Sequence, residues 1–265
     1  MQPDSGLRPD RVQALLTTRY IGRPLHYLPE TGSTNDDAAR LAEHGAPEGA
    51  VVVADWQRAG RGRRGRRWVA PPCTALLFSI LLRPRLPPEQ LFRITAAGAL
   101  AVLEAVQTTG LRPQLKWPND VVYDGKKLAG LLAQAGWREG RLAWVVLGIG
   151  LNVNVPAPAL AGLDQPATSL LIERGTPLLR EPLLADVLNR FEAWYEDALS
   201  AAWPRVLARW RANSALLGRP VQVVAAQGTI EGRALDVDEH GALLVQLDDG
   251  RMVQLLEGDV SVRGR

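Results

Sequence analysis

One run of eight residues, ALLFSILL at positions 75–82, constrains the fold of this chain most strongly. Its apolar character and its length are typical of a strand, and the prolines at positions 84, 87 and 88 end it. A shorter buried strand is predicted at residues 51–54, and residues 89–107 have the apolar spacing of a long, alanine-rich helix. These patterns predict an α/β fold in which the helix packs tightly against a sheet.

The remaining chain divides into two parts near Ser214. Residues 121–134 predict a hairpin around an Asp-Gly turn, residues 141–155 predict a further strand, and residues 182–212 predict helix with a break before Pro204. After Ser214, short apolar runs at 221–224, 230–235, 243–247 and 251–255 alternate with glycine turns, which is typical of a small β-barrel. We therefore expect one domain over residues 1–213 and a second over residues 214–265.

Composition argues against several classes of protein. The 265 residues are 46% hydrophobic and 22% charged, so a largely disordered chain is not expected. A single cysteine excludes an intramolecular disulfide, and with three dispersed histidines it argues against a cysteine or histidine metal site. No segment resembles a signal peptide or reaches the apolar length needed to span a bilayer, so we expect a cytoplasmic protein without a membrane partner.

Residues 60–68, GRGRRGRRW, are the most unusual segment, and we call them the arginine–glycine loop. Arginine supplies a permanent charge and a planar fork of donors that matches phosphate or carboxylate, while glycine lets the backbone approach a ligand closely. The segment predicts a lid over a bound anion, with nothing apolar to hold it before Trp68. Nonspecific contact with nucleic acid explains the same residues, although a net charge of +3 indicates that the basicity is local.

A second polar cluster surrounds a proline bend at residues 116–120, KWPND. Asn119 suits a nucleotide or a metal-bound phosphate, and Asp120 suits magnesium. Lys127 follows a tight turn at the start of an apolar strand, so its ammonium would extend from a rigid element, and Gly130 leaves room for a ligand. An ordinary turn followed by a surface lysine accounts for the same pattern.

Two further segments contribute candidate residues. Alternating glycines in residues 148–154, GIGLNVN, indicate close approach to the backbone, and Asn152 and Asn154 would share one face of an extended segment. This is not a dinucleotide-binding fingerprint, because no helix follows it. Residues 31–37 predict the start of a helix, with Thr34 and Asp37 as a variant of the capping box. A strand end and a simple helix start explain these patterns as well.

Together these segments resemble the biotin protein ligases in order and approximate spacing, over about residues 25–155. The matching segments are residues 33–35, 60–68, 116–120, 127–130 and 148–154, of which GRGRRGRRW and KWPND are highly specific to that family. The resemblance implies a class II synthetase-like domain, with a mixed, mostly antiparallel sheet backed by helices, and a small C-terminal SH3-like β-barrel. It also implies an enzyme that activates biotin with ATP as biotinyl-5′-AMP, releases pyrophosphate, and transfers biotin to one lysine of the biotin carboxyl carrier protein of acetyl-CoA carboxylase.

The resemblance also implies roles for individual residues. Lys127 and Arg63 are the expected catalytic residues, because Lys127 matches the lysine at the biotin carboxylate and Arg63 lies near the phosphate. The expected biotin-binding residues are Ser33, Thr34, Asn35, Gln57, Gly60, Arg61, Gly62, Arg63, Lys127, Gly130, Leu132 and Gly148. The expected nucleotide-binding residues are Arg63, Trp68, Lys116, Asn119, Asp120, Lys127 and Asn152. The implied cofactors are ATP, biotin and Mg²⁺, and no dedicated set of metal ligands is expected.

Some points stay open at the level of sequence. Only about 24 residues precede the matching region, too few for the DNA-binding domain of the bifunctional ligase-repressors, so we expect no DNA partner and no repression. Arg58 adds a charge beside the loop for which the sequence offers no account. A lipoate or octanoate ligase or transferase of the same superfamily is an alternative, and so is a nucleic-acid-binding protein. Either a monomer or a homodimer fits the sequence.

Overall fold

The computed structural model describes residues 6–225 and 228–262 of the chain. Its largest unit is a seven-stranded sheet built from β1 Leu25–Leu28, β2 Val51–Ala54, β3 Ala75–Leu82, β4 Gln114–Lys116, β5 Asp120–Tyr123, β6 Lys126–Arg138 and β7 Arg141–Asn152. The strands lie in the order β1-β2-β3-β7-β6-β5-β4. The β1–β2 pair is parallel and every other neighbouring pair is antiparallel. The prediction of a mixed, mostly antiparallel sheet is confirmed.

Helices cover both faces of this sheet. The described residues form α1 Pro9–Leu15, α2 Thr34–Glu43, α3 Phe92–Gln107, α4 Ala157–Leu160, α5 Leu170–Arg174, α6 Arg180–Leu199 and α7 Trp203–Ala212. The alanine-rich α3 packs as closely as predicted, because a Cβ at Gly98 would lie 2.8 Å from the δ-carbons of both Leu131 and Leu147. None of the helices in the described part of the chain is both long enough and apolar enough to cross a membrane.

The two faces of the central strands differ in their neighbours. In β7, Leu147 and Ile149 belong to the large core that contains α3, whereas Val146 packs with Ala38 and Ala42 of α2 on the opposite face. Because side chains alternate along a strand, Gly148 and the next even-numbered residues of β7 lie on the face of α2. This face therefore presents small side chains beside the first turn of a helix, which leaves room for a cavity.

The C-terminal part forms a separate antiparallel sheet. Its strands are β8 Pro220–Ala225, β9 Gly228–Val237, β10 Leu243–Gln246, β11 Met252–Leu255 and β12 Asp259–Val262, in the order β11-β10-β9-β8-β12. The sequence patterns predicted four of these strands and missed β12, which has only four residues and two polar ones among them. Among the described residues the pairing does not close between β11 and β12, so the ladder is that of an open sheet.

The second sheet is joined closely to the first. The chain just before β8 pairs with β4, because Leu115 N donates to Asn213 O at 2.8 Å and Ala215 N donates to Leu115 O at 2.8 Å. Trp117 is 1% exposed, and its indole N–H donates to Gly241 O at 2.8 Å. Apolar residues of both sheets belong to one continuous core. The second sheet therefore lies beside β4 and β5, where KWPND is found.

Candidate active site

A cavity of about 350 Å³ opens on the α2 face of the large sheet. It is bounded by the start of α2, the middle of β6 and β7, the arginine–glycine loop and the edge of the second sheet. Of the residues proposed from sequence, those that line it are Ser33, Thr34, Asn35, Gln57, Arg61, Gly62, Arg63, Trp68, Lys116, Asn119, Asp120, Lys127, Gly130, Leu132, Gly148 and Asn152. The fold thus brings together the five segments that carry the family resemblance, although they are separated in sequence.

Gly60 is the proposed residue that does not line this cavity. Its carbonyl accepts a hydrogen bond from Trp68 N at 2.9 Å, so it closes the base of the arginine–glycine loop. A Cβ at this position would lie 2.6 Å from Trp68 O, so the close backbone contact requires glycine. Gly60 instead lines a second, shallower depression on the outer side of the loop.

One end of the cavity is polar, and it is formed by the first turn of α2. Helix α2 begins at Thr34 with Ser33 as its N-cap residue, and the Ser33 side chain makes no capping hydrogen bond. The predicted capping role of Thr34 is therefore wrong. Its hydroxyl lies 3.0 Å from Gln57 Oε1, and Thr34 N donates to the same oxygen at 2.7 Å. Asp37 accepts from the Thr31 hydroxyl at 2.5 Å and takes no part in a capping box.

A second group of hydrogen bonds continues this polar end. Asn35 Nδ2 donates to Gln134 Oε1 at 2.7 Å and to Leu132 O at 3.3 Å. The hydroxyl of Ser79, on β3, lies 2.7 Å from Asn35 Oδ1 and 2.8 Å from Thr34 Oγ1. Three elements, α2, β3 and β6, therefore hold this end of the cavity in one arrangement.

The glycines of β6 and β7 make room for two large side chains. A Cβ at Gly148 would lie 1.9 Å from Asn35 Oδ1, so the amide lies directly on the backbone there. Gly130 and Gly150 are opposite each other in the sheet, and the Trp68 indole lies over both, with contacts of 3.1 and 2.5 Å to a Cβ built at each. The expected close approach to the GIGLNVN backbone is confirmed, and Asn35 and Trp68 are the groups that make it.

Cations gather at the other end of the cavity. Lys127 Nζ lies 2.7 Å from Asp120 Oδ1, outside the directions of a hydrogen bond, so the attraction between them is chiefly electrostatic. The same ammonium lies 5.7 Å from the centre of the Trp68 ring, within the range of a cation–π contact. Burial lowers the pKa of Lys116, and the negative charge of Asp120 opposes that shift. The Asp120 carboxylate therefore pairs with Lys127 and also favours the charged form of Lys116.

Arg63 joins these cations from the loop side. Its Nη1 donates to Asn119 Oδ1 at 3.4 Å, while Asn119 Nδ2 donates to Leu131 O at 2.6 Å and so fixes the amide. Burial lowers the pKa of the Arg63 guanidinium from its usual value, and Glu257 opposes that shift. An arginine remains charged despite such a shift. The cationic end thus combines Arg63 of the loop with Lys116 of β4 and Lys127 of β6.

Two buried polar atoms of the cavity lining are without a hydrogen-bond partner among the described residues. They are the indole nitrogen of Trp68, Nε1, and the amide oxygen of Asn152, Oδ1. Asn152 Nδ2 donates to Thr168 O at 2.9 Å, which turns the free oxygen away from that carbonyl. Because a buried polar atom without a partner is costly, these two atoms are suited to contacting a ligand.

Polar contacts, rather than apolar ones, hold the arginine–glycine loop over the cavity. Gly62 N donates to Arg66 O at 2.7 Å, and Arg61 pairs with Asp36 at the start of α2. Arg66 and Arg64 pair with Asp259 of β12 at 2.5 and 3.3 Å, so the second sheet contributes to the position of the loop. No local sequence pattern predicts these ion pairs, because the partners are far apart along the chain.

Arg58, for which the sequence offered no account, has a structural role. Its Nε lies 3.0 Å from Glu30 Oε1, and its carbonyl accepts from Arg67 Nη2 at 2.8 Å. Arg58 therefore supports the loop from outside the cavity.

The structure adds cavity residues that the sequence analysis did not propose. The segment before α5, which carried no motif, contributes Leu160, Leu163, Asp164, Gln165 and Ala167. No sequence signal pointed to it or to Asp259. Ser79 did have a signal, since it is the one polar residue in ALLFSILL. Among the described residues, no three of His, Cys, Asp and Glu are grouped so that they could hold a metal ion.

Comparisons with known proteins agree with this geometry. Residues 27–152 match the model of the biotin/lipoate A/B protein ligase family, and residues 216–263 match that of the biotin protein ligase C-terminal domain. The chain is 36% identical to the biotin–[acetyl-CoA-carboxylase] ligase of Mycobacterium tuberculosis, over 96% of both proteins. It is 34% identical to the bifunctional ligase/repressor BirA of Bacillus subtilis, over 89% of this chain and 73% of that protein.

Solved structures show the same relationship. The biotin protein ligase from Aquifex aeolicus, in complex with biotin and ATP, is similar with a TM-score of 0.74 and 30% sequence identity, over 90% of this chain and 98% of that one. Two family models match successive parts of the chain, and the M. tuberculosis relative is 36% identical over 96% of its length. The chain belongs to the biotin protein ligase family.

Proposed function

We propose that this protein is an ATP-dependent biotin protein ligase. In the first half-reaction a biotin carboxylate oxygen attacks the α-phosphorus of ATP, the bond to the bridging oxygen breaks, and pyrophosphate leaves. In the second, the ε-amine of a carrier-protein lysine attacks the acyl carbon of biotinyl-5′-AMP. The bond to the phosphate oxygen breaks, AMP leaves, and the amine loses a proton as the amide forms.

The observation that carries this proposal is the combination of two unlike ends in one cavity. The hydroxyl and amide groups around Thr34 offer donors and acceptors suited to the urea of biotin, while Arg63, Lys116 and Lys127 supply positive charge. Between them, the Trp68 indole, packed on Gly130 and Gly150, offers an apolar surface that suits a valeryl chain. A carboxylate and a triphosphate repel each other, so the cations would lower the cost of bringing them together.

Lys127 is the residue that we assign to both half-reactions. It extends from the start of β6 and lies within reach of Asp120 and the indole, so its position is constrained on two sides. We infer that its ammonium contacts the biotin carboxylate and the α-phosphate and stabilises negative charge as it develops. Arg63, held through Asn119, is assigned to the phosphate from the side of the loop.

The nucleotide would lie beside Trp68. The unpaired Asn152 Oδ1 can accept a hydrogen bond from the amine at C6 of adenine. Guanine has a carbonyl oxygen at C6 and cannot donate there. The indole offers a flat surface for stacking on the base, and Lys116 and Asn119 lie towards the phosphates.

Mg²⁺ fits this site as a partner of ATP rather than as a resident ion. It usually binds through one or two carboxylates and the phosphates of its nucleotide, and Asp120 is a carboxylate in the cationic end of the cavity. Bound there, Mg²⁺ would neutralise phosphate charge, and Asp120 would be its protein ligand.

The acceptor that we propose is the biotin carboxyl carrier protein of acetyl-CoA carboxylase, because the name of the M. tuberculosis relative gives that carboxylase as its substrate. We also propose domains over residues 1–213 and 214–265, supported by the start of the second sheet at Pro220. Both ranges include terminal residues outside the described part. A cytoplasmic location, the absence of a DNA partner and the choice between monomer and homodimer stay predictions.

Two other functions from the sequence analysis are less well supported. Lipoate and octanoate have no urea, so neither supplies an N–H donor to the hydroxyl oxygen of Thr34 at the polar end. Nucleic-acid binding needs free arginines, but Arg61, Arg64 and Arg66 are paired with Asp36 and Asp259.

The proposal can be tested by transfer to a carrier domain. The protein is incubated with biotin, ATP, Mg²⁺ and the biotin carboxyl carrier domain, and the carrier is analysed by intact mass and peptide mapping. We expect one biotin on one lysine, and none on a carrier in which that lysine is replaced by arginine. An unmodified carrier, or modification of many lysines at random, would contradict specific transfer.

A further inference from the structure

Ser79 lies inside the protein behind the polar end of the cavity. It is 0% exposed, faces the α2 side of β3, and is directly opposite Gly148 in the neighbouring strand. Its hydroxyl contacts Asn35 Oδ1 at 2.7 Å and Thr34 Oγ1 at 2.8 Å. A hydroxyl in an otherwise apolar strand is costly to bury unless it is hydrogen-bonded, and these two contacts satisfy it.

The direction of each hydrogen bond follows from the chemistry of the groups. Leu132 O can only accept, and it faces the Asn35 amide at 3.3 Å, so the Nδ2 side of that amide points there. Asn35 Oδ1 therefore points at Ser79, and since an amide oxygen only accepts, the Ser79 proton lies on that bond. Ser79 Oγ then has only lone pairs to offer to Thr34.

The Thr34 proton is consequently held within the protein. Its acceptors are Ser79 Oγ at 2.8 Å and Gln57 Oε1 at 3.0 Å. In either arrangement Thr34 Oγ1 has a lone pair available to the cavity, and it requires a donor from the ligand. A urea N–H supplies that donor, whereas the dithiolane of lipoate and the methyl end of octanoate do not.

We propose that Ser79 is a positioning residue that orients Thr34 and Asn35 for a cyclic urea, and so contributes to the selection of biotin. This inference rests on the proposed function. Ser79 lies behind Thr34 and Asn35 and acts through them. Its effect is confined to recognition of the head group, because the cationic end of the cavity is held by separate contacts from Asn119 and Asp120.

The test is pyrophosphate–ATP exchange by Ser79→Ala, without a carrier protein. We expect the KM for biotin to rise about 10-fold, while kcat and the KM for ATP stay within about two-fold of wild type. Desthiobiotin, which keeps the urea but lacks the sulfur, should show the same rise. Ser79→Thr, which retains the hydroxyl, should restore the KM for both acids.

Ser169→Ala is the matched control. Ser169 is also 0% exposed, but its hydroxyl donates to Val155 O at 2.7 Å and does not line the cavity. We expect this variant to lose stability and keep the KM for biotin. If Ser79→Ala fails to fold, Ser79→Cys retains the volume with only a weak donor and should raise the same KM.

An unchanged KM in Ser79→Ala or Ser79→Cys would overturn the inference, and so would parallel changes in kcat and in the KM for ATP. Wild-type protein that shows no biotin-dependent exchange would instead overturn the proposed function, and this inference with it.

Discussion

Gly148→Ala should disrupt the polar end of the cavity through a single methyl group. A Cβ at this position would lie 1.9 Å from Asn35 Oδ1, about 1 Å closer than real contacts allow. Asn35 cannot retreat freely, because Ser79, Gln134 and Leu132 all hold its amide. Overpacking of this kind costs about 1–3 kcal/mol, and each hydrogen bond lost on displacement costs roughly 1 kcal/mol more.

We therefore expect Gly148→Ala to lower the free energy of unfolding by about 2–4 kcal/mol. The KM for biotin should rise at least about 10-fold, since the displaced Asn35 no longer supports the head-group site. Urea denaturation measures the first quantity, and pyrophosphate–ATP exchange measures the second.

Gly136→Ala is the matched control for this prediction. Its Cβ would lie 2.0 Å from the Trp144 ring, so the clash is similar, but Gly136 does not line the cavity and does not contact Asn35. We expect a comparable loss of stability with an unchanged KM for biotin. The reasoning would be refuted if Gly148→Ala kept both wild-type stability and wild-type KM, or if Gly136→Ala raised the KM equally.

Three further predictions concern charged groups. Lys127→Ala should abolish pyrophosphate exchange and keep a cooperative thermal transition; normal turnover would rule out its assigned role. Arg63→Gly should speed release of biotinyl-5′-AMP, measured by rapid filtration without a carrier, and retention equal to wild type would count against a contact with the phosphate. Burial would raise the pKa of Glu192, but hydrogen bonds from the backbone N–H groups of Arg19, Ile21 and Tyr20 outweigh it and lower that pKa. The stabilisation is therefore present above the unfolded pKa of about 4.3 and lost as the pH falls through the folded pKa. Glu192→Gln should be less stable than wild type in urea at about pH 7, with a smaller difference at about pH 4; a difference independent of pH would contradict this assignment.

Local patterns predicted the elements whose neighbours are close in sequence. β3 and the β5–β6 hairpin were predicted because apolar residues and an Asp-Gly turn define them within a few positions. The close approach to Gly148 was also expected, since glycine within a strand often marks a place where another group contacts the backbone. Which side chain would approach was not predictable, because Asn35 lies more than 100 positions away.

The parts of the site that sequence could not predict depend on long-range contacts. Asp259 is separated from Arg64 and Arg66 by more than 190 positions, and no local pattern relates them. The capping prediction at Thr34 failed because the helix begins at Thr34 itself, with Ser33 at the N-cap, and the Thr34 hydroxyl contacts Gln57 and Ser79 instead. Residue chemistry suggested Asn119, Asp120 and Lys127, family resemblance supplied most other site residues and their roles, and the fold explains why they are brought together.

Pyrophosphate–ATP exchange by the wild-type protein, with Mg²⁺ and without any carrier, tests the central claim most directly. Biotin, lipoate, octanoate and no acid are compared under the same conditions. The account predicts exchange that depends on biotin alone, because only a urea satisfies the polar end while the carboxylate reaches Lys127. Exchange supported by lipoate or octanoate but not by biotin would contradict it, and so would the absence of exchange with every acid.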